Sequence, residues 1–219
     1  MFNESWPWKR DLACAADRLE SAQFGLSTSL YALELSADDE GDGYEAEAEV
    51  LYRLERDVMN GAFAVRRLIG MPSKVTKAVR ETKAMVVRYP LREGFKTPDV
   101  LDALGDLDMY DMSRPAVVAV SANQLCNLFV HSLILRFAWT LKGMEFHNWW
   151  CLDENDPRTS ILPNELAGWL VASDKSSTQH LTLAPLAELV RIMRVFAGDE
   201  VTYLTGVRDR NGRMHFKAT

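Results

Sequence analysis

The sequence lacks three features that would assign a biochemical class directly: paired cysteines, a nucleotide-binding glycine loop and a long uninterrupted apolar run. Its three cysteines, Cys14, Cys126 and Cys151, are odd in number and far apart in the 219-residue chain. That pattern excludes a disulfide framework and a Cys-x-x-Cys zinc motif. We expect buried free thiols in a reducing compartment, and therefore a cytoplasmic location.

Motifs of the common hydrolases and nucleotide-binding enzymes are also missing. The chain holds no P-loop, no dinucleotide-binding glycine pattern, no Gly-x-Ser-x-Gly and no His-Glu-x-x-His. Nucleotide hydrolysis and the best-known hydrolase mechanisms are therefore disfavoured. No cluster of residues indicates a metal ion or another cofactor, and we expect neither. These absences do not decide whether the chain is an enzyme.

The most apolar stretch, residues 125–141, is too polar for a membrane span. Asn127, His131 and Arg136 interrupt it, and each would be costly inside a bilayer. The first residues include a glutamate and a proline with no apolar run after them, which argues against a secretory signal. With 47% apolar and 26% charged residues, the composition is that of a globular protein, for which we expect no membrane partner.

Two apolar stripes predict a long antiparallel helical hairpin in the N-terminal part of the chain. Apolar residues from Leu12 to Leu33 recur every three or four positions and predict a helix over about 6–35. A second stripe from Leu51 to Ile69 predicts a helix over about 44–70. The glycines and carboxylates of residues 36–43 indicate an exposed turn between the two helices.

The remainder of the chain predicts shorter elements, separated by prolines, aspartates and glycines. Residues 85–89 suit either a strand or the end of the basic helix before them. The other predicted elements are a short basic helix over 73–84, a short helix near 98–104, a strand over 116–120, a capped helix over 121–136, strands over 168–173 and 180–183, a helix over 186–197, and a C-terminal hairpin whose strands, 201–207 and 213–216, flank Asn211-Gly212.

Together these elements predict an α+β fold that is mainly α. We expect a single compact domain over residues 1–219, with a helical part over about 1–140. The strand-rich part, over about 141–219, should contain a small and largely antiparallel sheet with one helix.

Charge is segregated along the sequence. Residues 34–57 contain ten acidic and two basic side chains, whereas residues 66–96 contain nine basic and two acidic ones. The basic segment could bind phosphate, RNA or DNA. It could equally form a solvated face, or pair with the acidic segment of a second subunit. The candidate nucleic-acid or anion-binding residues are Arg66, Arg67, Lys74, Lys77, Arg80 and Lys83, of which the last four recur every third residue and would share a gently drifting helix face.

Two polar residues interrupt the predicted helix over 121–136 on one face. Asn127 and His131 are four residues apart, and Asn123 precedes them by one turn. They could form a catalytic or ligand-binding face on which His131 acts as acid or base. They could also form a core hydrogen-bond network, because buried polar groups need partners. We favour the network.

Two short patterns resemble those of nucleases. The spacing of Arg208 and Arg210 before His215 is similar to that of the arginine–histidine pair of HEPN ribonucleases, which lies on a helix of a helical bundle; here Asn211-Gly212 interrupts it. Glu81-Thr-Lys83, with Asp57 upstream, resembles the acid–x–lysine pair of restriction-like nucleases, which implies Mg²⁺ held by the carboxylates.

The charge segregation and the small residues of the helical stripes lead to two hypotheses of different class. The leading one is a self-associating interaction or regulatory protein, a homodimer formed through the helical hairpin. The alternative is a nucleic-acid-binding or nucleic-acid-processing protein, either a HEPN-like ribonuclease or another nuclease, that uses residues 66–96.

Overall fold

The structure, a computed structural model, describes residues 5–36 and 42–219. Five antiparallel strands form the main sheet in the order β2-β1-β5-β4-β3, and two further strands form a separate C-terminal ribbon. The strands are β1 (Lys83–Pro90), β2 (Ala116–Ser121), β3 (Ser132–Thr140), β4 (Glu165–Ser173), β5 (His180–Pro185), β6 (Leu204–Arg208) and β7 (Met214–Ala218).

Two long helices precede the sheet, and shorter helices connect its strands. The helices are α1 (Trp6–Ser36), α2 (Asp42–Ile69), α3 (Lys77–Arg80), α4 (Val100–Leu104), α5 (Ala122–Val130), α6 (Phe146–Trp150) and α7 (Leu186–Ala197). None of the helices within the described residues combines the length and the apolar character of a membrane span.

The larger core lies between one face of the sheet and the helices α1, α2, α5 and α7. Leu19, Leu68, Phe129 and Phe196 from the four helices are almost fully buried there, together with Trp169 of β4. Burial of this apolar area is the main driving force for the helix layer.

A missing side chain lets α2 and α7 approach each other closely. A Cβ added at Gly61 would lie only 2.2 Å from Cε of Met193 on α7. Glycine therefore leaves room for the Met193 side chain, whose flexible end would have to move if a larger residue replaced Gly61.

The opposite face of the sheet carries a smaller core. Residues 91–112 and α6 cover it, and they bury Tyr89, Tyr110, Ile134, Phe146 and Leu181. The hydroxyl of Tyr110 donates a 2.9 Å hydrogen bond to the carbonyl of Ser177. This bond ties the covering segment to the turn between β4 and β5.

The α+β class predicted from the sequence is confirmed. The capping box at Ser121 and Gln124 starts α5 as predicted, since each side chain binds the backbone N–H of the other residue. The predicted helices near 98–104 and over 186–197 are present as α4 and α7. The Asn211-Gly212 turn joins β6 to β7, with Gly212 at a φ of 78°.

The sheet does not come mainly from the C-terminal third, and this prediction was wrong. Three of its five strands, β1, β2 and β3, lie within the part expected to be helical. Helix α5 ends at Val130, and the chain continues as β3 where the helix was expected to run to 136. The apolar residues that follow His131 bury themselves in the sheet edge instead of a helix face.

Of the basic helix predicted over 73–84, the structure shows only the four residues of α3. Lys83 already belongs to β1, and Lys74 precedes the helix. Lys74, Lys77, Arg80 and Lys83 therefore do not share one helix face. The helix is short for two reasons. Thr76 caps it, so it begins only at Lys77, and the chain after Thr82 pairs with β2 as a strand.

Helices α1 and α2 pack against each other along much of their length. The rings of Trp8 and Phe63 lie 6.3 Å apart, and Arg18 binds Asp57. The turn predicted over 36–43 falls largely on residues 37–41, which lie outside the described residues, as does part of the acidic segment. The hairpin connection and the single-domain division remain predictions.

The cysteines are free, but only one is buried as expected. Cys126 is buried in the helix-side core, whereas Cys14 and Cys151 are exposed. Burial raises the pKa of Cys126 to about 12, with the charge of Arg66 opposing the shift. The prediction of three buried thiols was wrong for the other two.

Candidate ligand-binding site

A cavity of about 660 Å³ opens where α5 meets the ends of three neighbouring strands. We call it the α5 cavity. Its polar lining residues come from β1, α5, β4, β5 and the turn between the last two. The lining residues are Arg88, Val120, Gln124, Asn127, Leu128, His131, Ser173, Asp174, Lys175, Ser176, Gln179 and His180.

Helix α5 supplies both polar residues that the sequence singled out. The Ser121 cap fixes the start of the helix, and Asn127 and His131 then face the cavity one turn apart. His131 is the C-cap residue, and its backbone N–H donates to the carbonyl of Asn127 at 3.1 Å.

These two residues do not form the core network that we expected. His131 is exposed, and Oδ1 of Asn127 is buried without a hydrogen-bond partner among the described residues. A core network would have satisfied that oxygen. The structure corrects the prediction, because both side chains border an open cavity.

The floor of the cavity comes from β1 and β5. Arg88 pairs with Thr182 in the strand register, and side-chain alternation places His180 on the same face two residues away. A diagonal neighbour of this kind lies within about 7–8 Å of the arginine. Nε of Arg88 and Oγ1 of the fully buried Thr182 have no hydrogen-bond partner among the described residues.

The wall opposite α5 is a turn held in place by serine hydroxyls. Oγ of Ser176 accepts the backbone N–H of Ser173 at 2.8 Å, and the backbone N–H of Ser177 donates to the carbonyl of Ser173 at 2.9 Å. Lys175 and Asp174 project from this turn. The wall is therefore rigid, while its charged side chains remain exposed.

The electrostatics of the cavity are dominated by cations and protonatable rings. Arg88, Lys175 and the two histidines face a single carboxylate, Asp174, among the described residues that line it. Burial, and after it the charge of Arg88, lower the pKa of His180 from its ordinary value. Both effects disfavour the protonated ring of His180, whereas Arg88 supplies a permanent positive charge.

The six basic residues predicted to bind anions lie elsewhere and are dispersed. Arg66 is near Cys126, and Lys77 forms a 3.6 Å ion pair with Glu81. Nε of Arg80 is buried without a partner among the described residues, while Lys83 offers its carbonyl to Arg191. Arg67 is exposed and Lys74 half-buried, and none of the six lines the α5 cavity.

The structure does not assemble either nuclease-like pattern. Asp57 is only 4% exposed and is bound by Arg18, so it cannot join Glu81 at a strand end. Within the described residues, no group of three His, Cys, Asp or Glu side chains is suitably placed for a metal ion.

The arginine–histidine spacing falls on the C-terminal ribbon and not on a helix. Arg208 lies in β6 and His215 in β7, with Arg210 in the turn between them. Nε2 of His215 lies 2.8 Å from Oδ2 of Asp209. The pair therefore belongs to a β-hairpin, which is a correction to the HEPN-like arrangement.

The sequence did not single out Arg88 or His180 as residues of the cavity, nor the buried Thr182 that lies opposite Arg88. Arg88 interrupts the otherwise apolar run of β1, and the alternation of His180-Leu-Thr-Leu183 places both polar residues of β5 on one face. Both patterns are visible in the sequence. What joins them is the pairing of β1 with β5, which brings together residues more than 90 positions apart.

Comparisons of this chain with models of protein families, with curated proteins and with solved structures find no match.

Proposed function

We propose that the protein binds a small ligand bearing an oxyanion, a carboxylate or a phosphate, in the α5 cavity. The observation that carries the proposal is Arg88, whose Nε is buried and bonds to no described residue. Arg88 also makes no ion pair within the described part of the chain. A partly buried cation without a counter-charge is costly, and a bound anion would offset that cost.

The polar groups around Arg88 suit an oxyanion held at its floor. A guanidinium offers several N–H donors in a plane, which match the two oxygens of a carboxylate or phosphate. The ring of His180 lines the cavity on the same face of the sheet as Arg88. Gln124 and Asn127 from α5 supply amide groups that orient the rest of a ligand.

The size of the cavity sets the class of ligand. Small-molecule sites typically enclose about 300–1,000 Å³, and the α5 cavity, at about 660 Å³, lies within that range. A metabolite with one anionic group and a polar body fits this volume. A bare inorganic ion would fill only a fraction of it.

The lowered pKa of His180 gives the proposal a pH dependence of known sign. A bound oxyanion stabilises the protonated ring, so binding raises the pKa of His180. Affinity for an anion of constant charge should therefore increase as the pH falls from about 8 to about 6. In the free protein the shift has the opposite consequence, because the unfolded chain binds the proton more readily and stability declines below about pH 6.5.

Isothermal titration calorimetry with two probes, inorganic phosphate and acetate, tests the proposal. We expect saturable binding by the wild type that Arg88→Met weakens at least tenfold, or about 1.4 kcal/mol. The matched control is Arg92→Met, since Arg92 is exposed just beyond the same strand. A series in acetate, whose carboxylate stays ionised, measures the pH dependence, and His180→Gln should reduce it.

The two probes also distinguish the source of the oxyanion. Preference for phosphate indicates a phosphorylated ligand, and preference for acetate indicates a carboxylic acid. Binding that is equal in wild type and Arg88→Met, or absent for both probes, would contradict the proposal. Because the cavity is lined mostly by neutral side chains, we expect millimolar affinities for these fragments.

The two functions inferred from the sequence remain proposals. Nucleic-acid binding by residues 66–96 has to rely on side chains that the structure disperses, and a short single-stranded RNA added to the same titration tests it. Self-association through an antiparallel α1–α2 hairpin rests on exposed aromatic residues such as Trp6, Tyr52 and Phe63. The sheet offers a better-defined surface for self-association.

A further inference from the structure

Strand β2 is an open edge of the main sheet. It pairs with β1 on one side only, in an unbroken register from Lys83↔Ser121 to Arg88↔Ala116. Within the described residues, no backbone group of 116–120 bonds to anything else. Its sequence, Ala-Val-Val-Ala-Val-Ser, contains no charge, proline or glycine. Natural proteins usually blunt such an edge, because its free N–H and C=O groups can pair with another chain.

The other exposed edges of the same sheet are blunted. Strand β3 has two register shifts against β4, at Ser132/Ile134 and Ala138/Trp139, and it carries Arg136. The part of β1 that extends past β5 is capped by α7. There the Met85 N–H donates to Glu188 at 2.7 Å, and the Lys83 carbonyl accepts from Arg191 at 2.6 Å. Among the described edges of this sheet, only β2 is left regular and uncharged.

The hydrogen bonds between β1 and α7 also show which backbone N–H and C=O groups of β2 point away from β1. Because Met85 and Lys83 bond toward α7, the even-numbered residues of β1 bond toward β2. In an antiparallel pair the bonded residues alternate, so Val118 and Val120 bond to β1. Val117 and Ala119 then turn their N–H and C=O groups to the open side. At the end of the strand, the N–H of Ser121 is already taken by Oε1 of Gln124.

We infer that β2 pairs antiparallel with β2 of a second copy of this chain, which joins the two sheets into one of ten strands. A two-fold axis through Val118 places Val117 opposite Ala119 of the second copy, and Ala119 opposite its Val117. This register satisfies every outward group of both residues with four hydrogen bonds. Shifting the axis by one residue in either direction leaves some of these groups unpaired.

The exposed side chains of this region support the same occupant. Val117 is 67% and Met85 45% exposed, on the sheet face opposite α5. The register with β1 sets Met85 beside Ala119, and the two-fold axis adds Val117 of the second copy next in the row. The apolar side chains of the two copies would thus form continuous rows across the joined sheets. No charged residue lies between positions 116 and 123, so the pair brings no like charges into contact.

Light scattering at ~10 µM protein tests whether the chain dimerises through this edge. We expect a dimer for the wild type and a monomer for Val117→Lys, whose introduced charge enters the apolar row. Ala119→Pro should also be monomeric, because proline removes an outward N–H and none that bonds to β1. The matched control is Val207→Lys, since Val207 in β6 is 69% exposed; it should remain a dimer and show the same circular dichroism.

A cross-linking experiment tests the register itself. Directly opposed residues that do not exchange hydrogen bonds have Cα atoms about 4.5 Å apart, within the range of a disulfide. In a Cys14→Ser, Cys151→Ser background, Val118→Cys should therefore form a covalent dimer on mild oxidation. Ala116→Cys should not, because its two copies lie about 13 Å apart along the strands. A monomeric wild type, a dimer that survives both edge variants, or equal cross-linking at 116 and 118 would overturn the inference.

Discussion

Two arginines, one between the long helices and one under α5, have opposite surroundings. Arg18 donates from Nε and Nη2 to both oxygens of Asp57, at 2.6 and 2.7 Å, and Asp57 is 4% exposed. Arg88 lies at the floor of the α5 cavity, with its Nε buried and unbonded among the described residues. The chain therefore completes one charge pair by itself and leaves the other incomplete.

The difference separates stabilising groups from ligand-binding groups. Two paired charges at a helix interface offset each other's cost of burial. Removing either partner leaves the other charge unpaired and destabilises the fold. An unpaired one is tolerated at a cost in stability, which is typical of residues retained for binding. Stability measurements on matched variants of the two arginines test whether the two residues differ in this way.

The largest effect is expected at the helix interface. Arg18→Met should destabilise the protein by about 2–3 kcal/mol, because it leaves the buried carboxylate of Asp57 without its donor. The value stays below that of a fully buried pair, since the side chain of Arg18 is 55% exposed. Urea unfolding followed by circular dichroism measures the change.

The control for this variant is Arg10→Met. Arg10 also bonds to an aspartate, Asp11, but both side chains are exposed, at 56% and 68%. Exposed pairs contribute little, so no measurable change is expected. If Arg18→Met were as stable as Arg10→Met, the pairing with Asp57 would not be a stabilising contact.

A smaller effect, of the opposite sign, is expected at the cavity. Without ligand, Arg88→Met should stabilise the protein by up to about 1 kcal/mol, because it removes a partly buried guanidinium and keeps an unbranched apolar stem. The same urea titration measures it. In saturating phosphate the order should reverse, since the wild type gains more from its tighter binding than the variant does. A loss of more than about 2 kcal/mol without ligand would show that Arg88 has a partner inside the protein.

The fold was predictable from the sequence wherever a local pattern has one interpretation. The capping box of Ser121 and Gln124, the stripe of α7 and the Asn211-Gly212 turn each specify their element through hydrogen bonds or backbone sterics that involve only nearby residues. The boundary between α5 and β3 is different. Residues 125–140 are almost continuously apolar, and such a run suits a buried helix as well as a buried strand.

The candidate site was predictable only as far as one helix extends. The four-residue spacing of Asn127 and His131 placed both on one face. Arg88 and His180 come from two strands whose pairing over a long sequence distance leaves no mark on the local pattern. The basic segment 66–96 was misinterpreted for the same reason, because it is divided among α2, α3, β1 and the connecting segments, and only Arg88 reaches the cavity.

The smallest effect concerns Thr182, which lies opposite Arg88 and is fully buried with its Oγ1 unbonded among the described residues. A buried hydroxyl without a partner costs free energy that a methyl group does not. Thr182→Val should therefore stabilise the ligand-free protein by about 0.5–1 kcal/mol. Because Thr182 does not line the α5 cavity, the same variant should bind phosphate as the wild type does. Parallel unfolding and calorimetry measure the two properties. A variant that is destabilised would show that the hydroxyl is satisfied within the protein, and one that binds phosphate more weakly would show that the hydroxyl reaches the ligand.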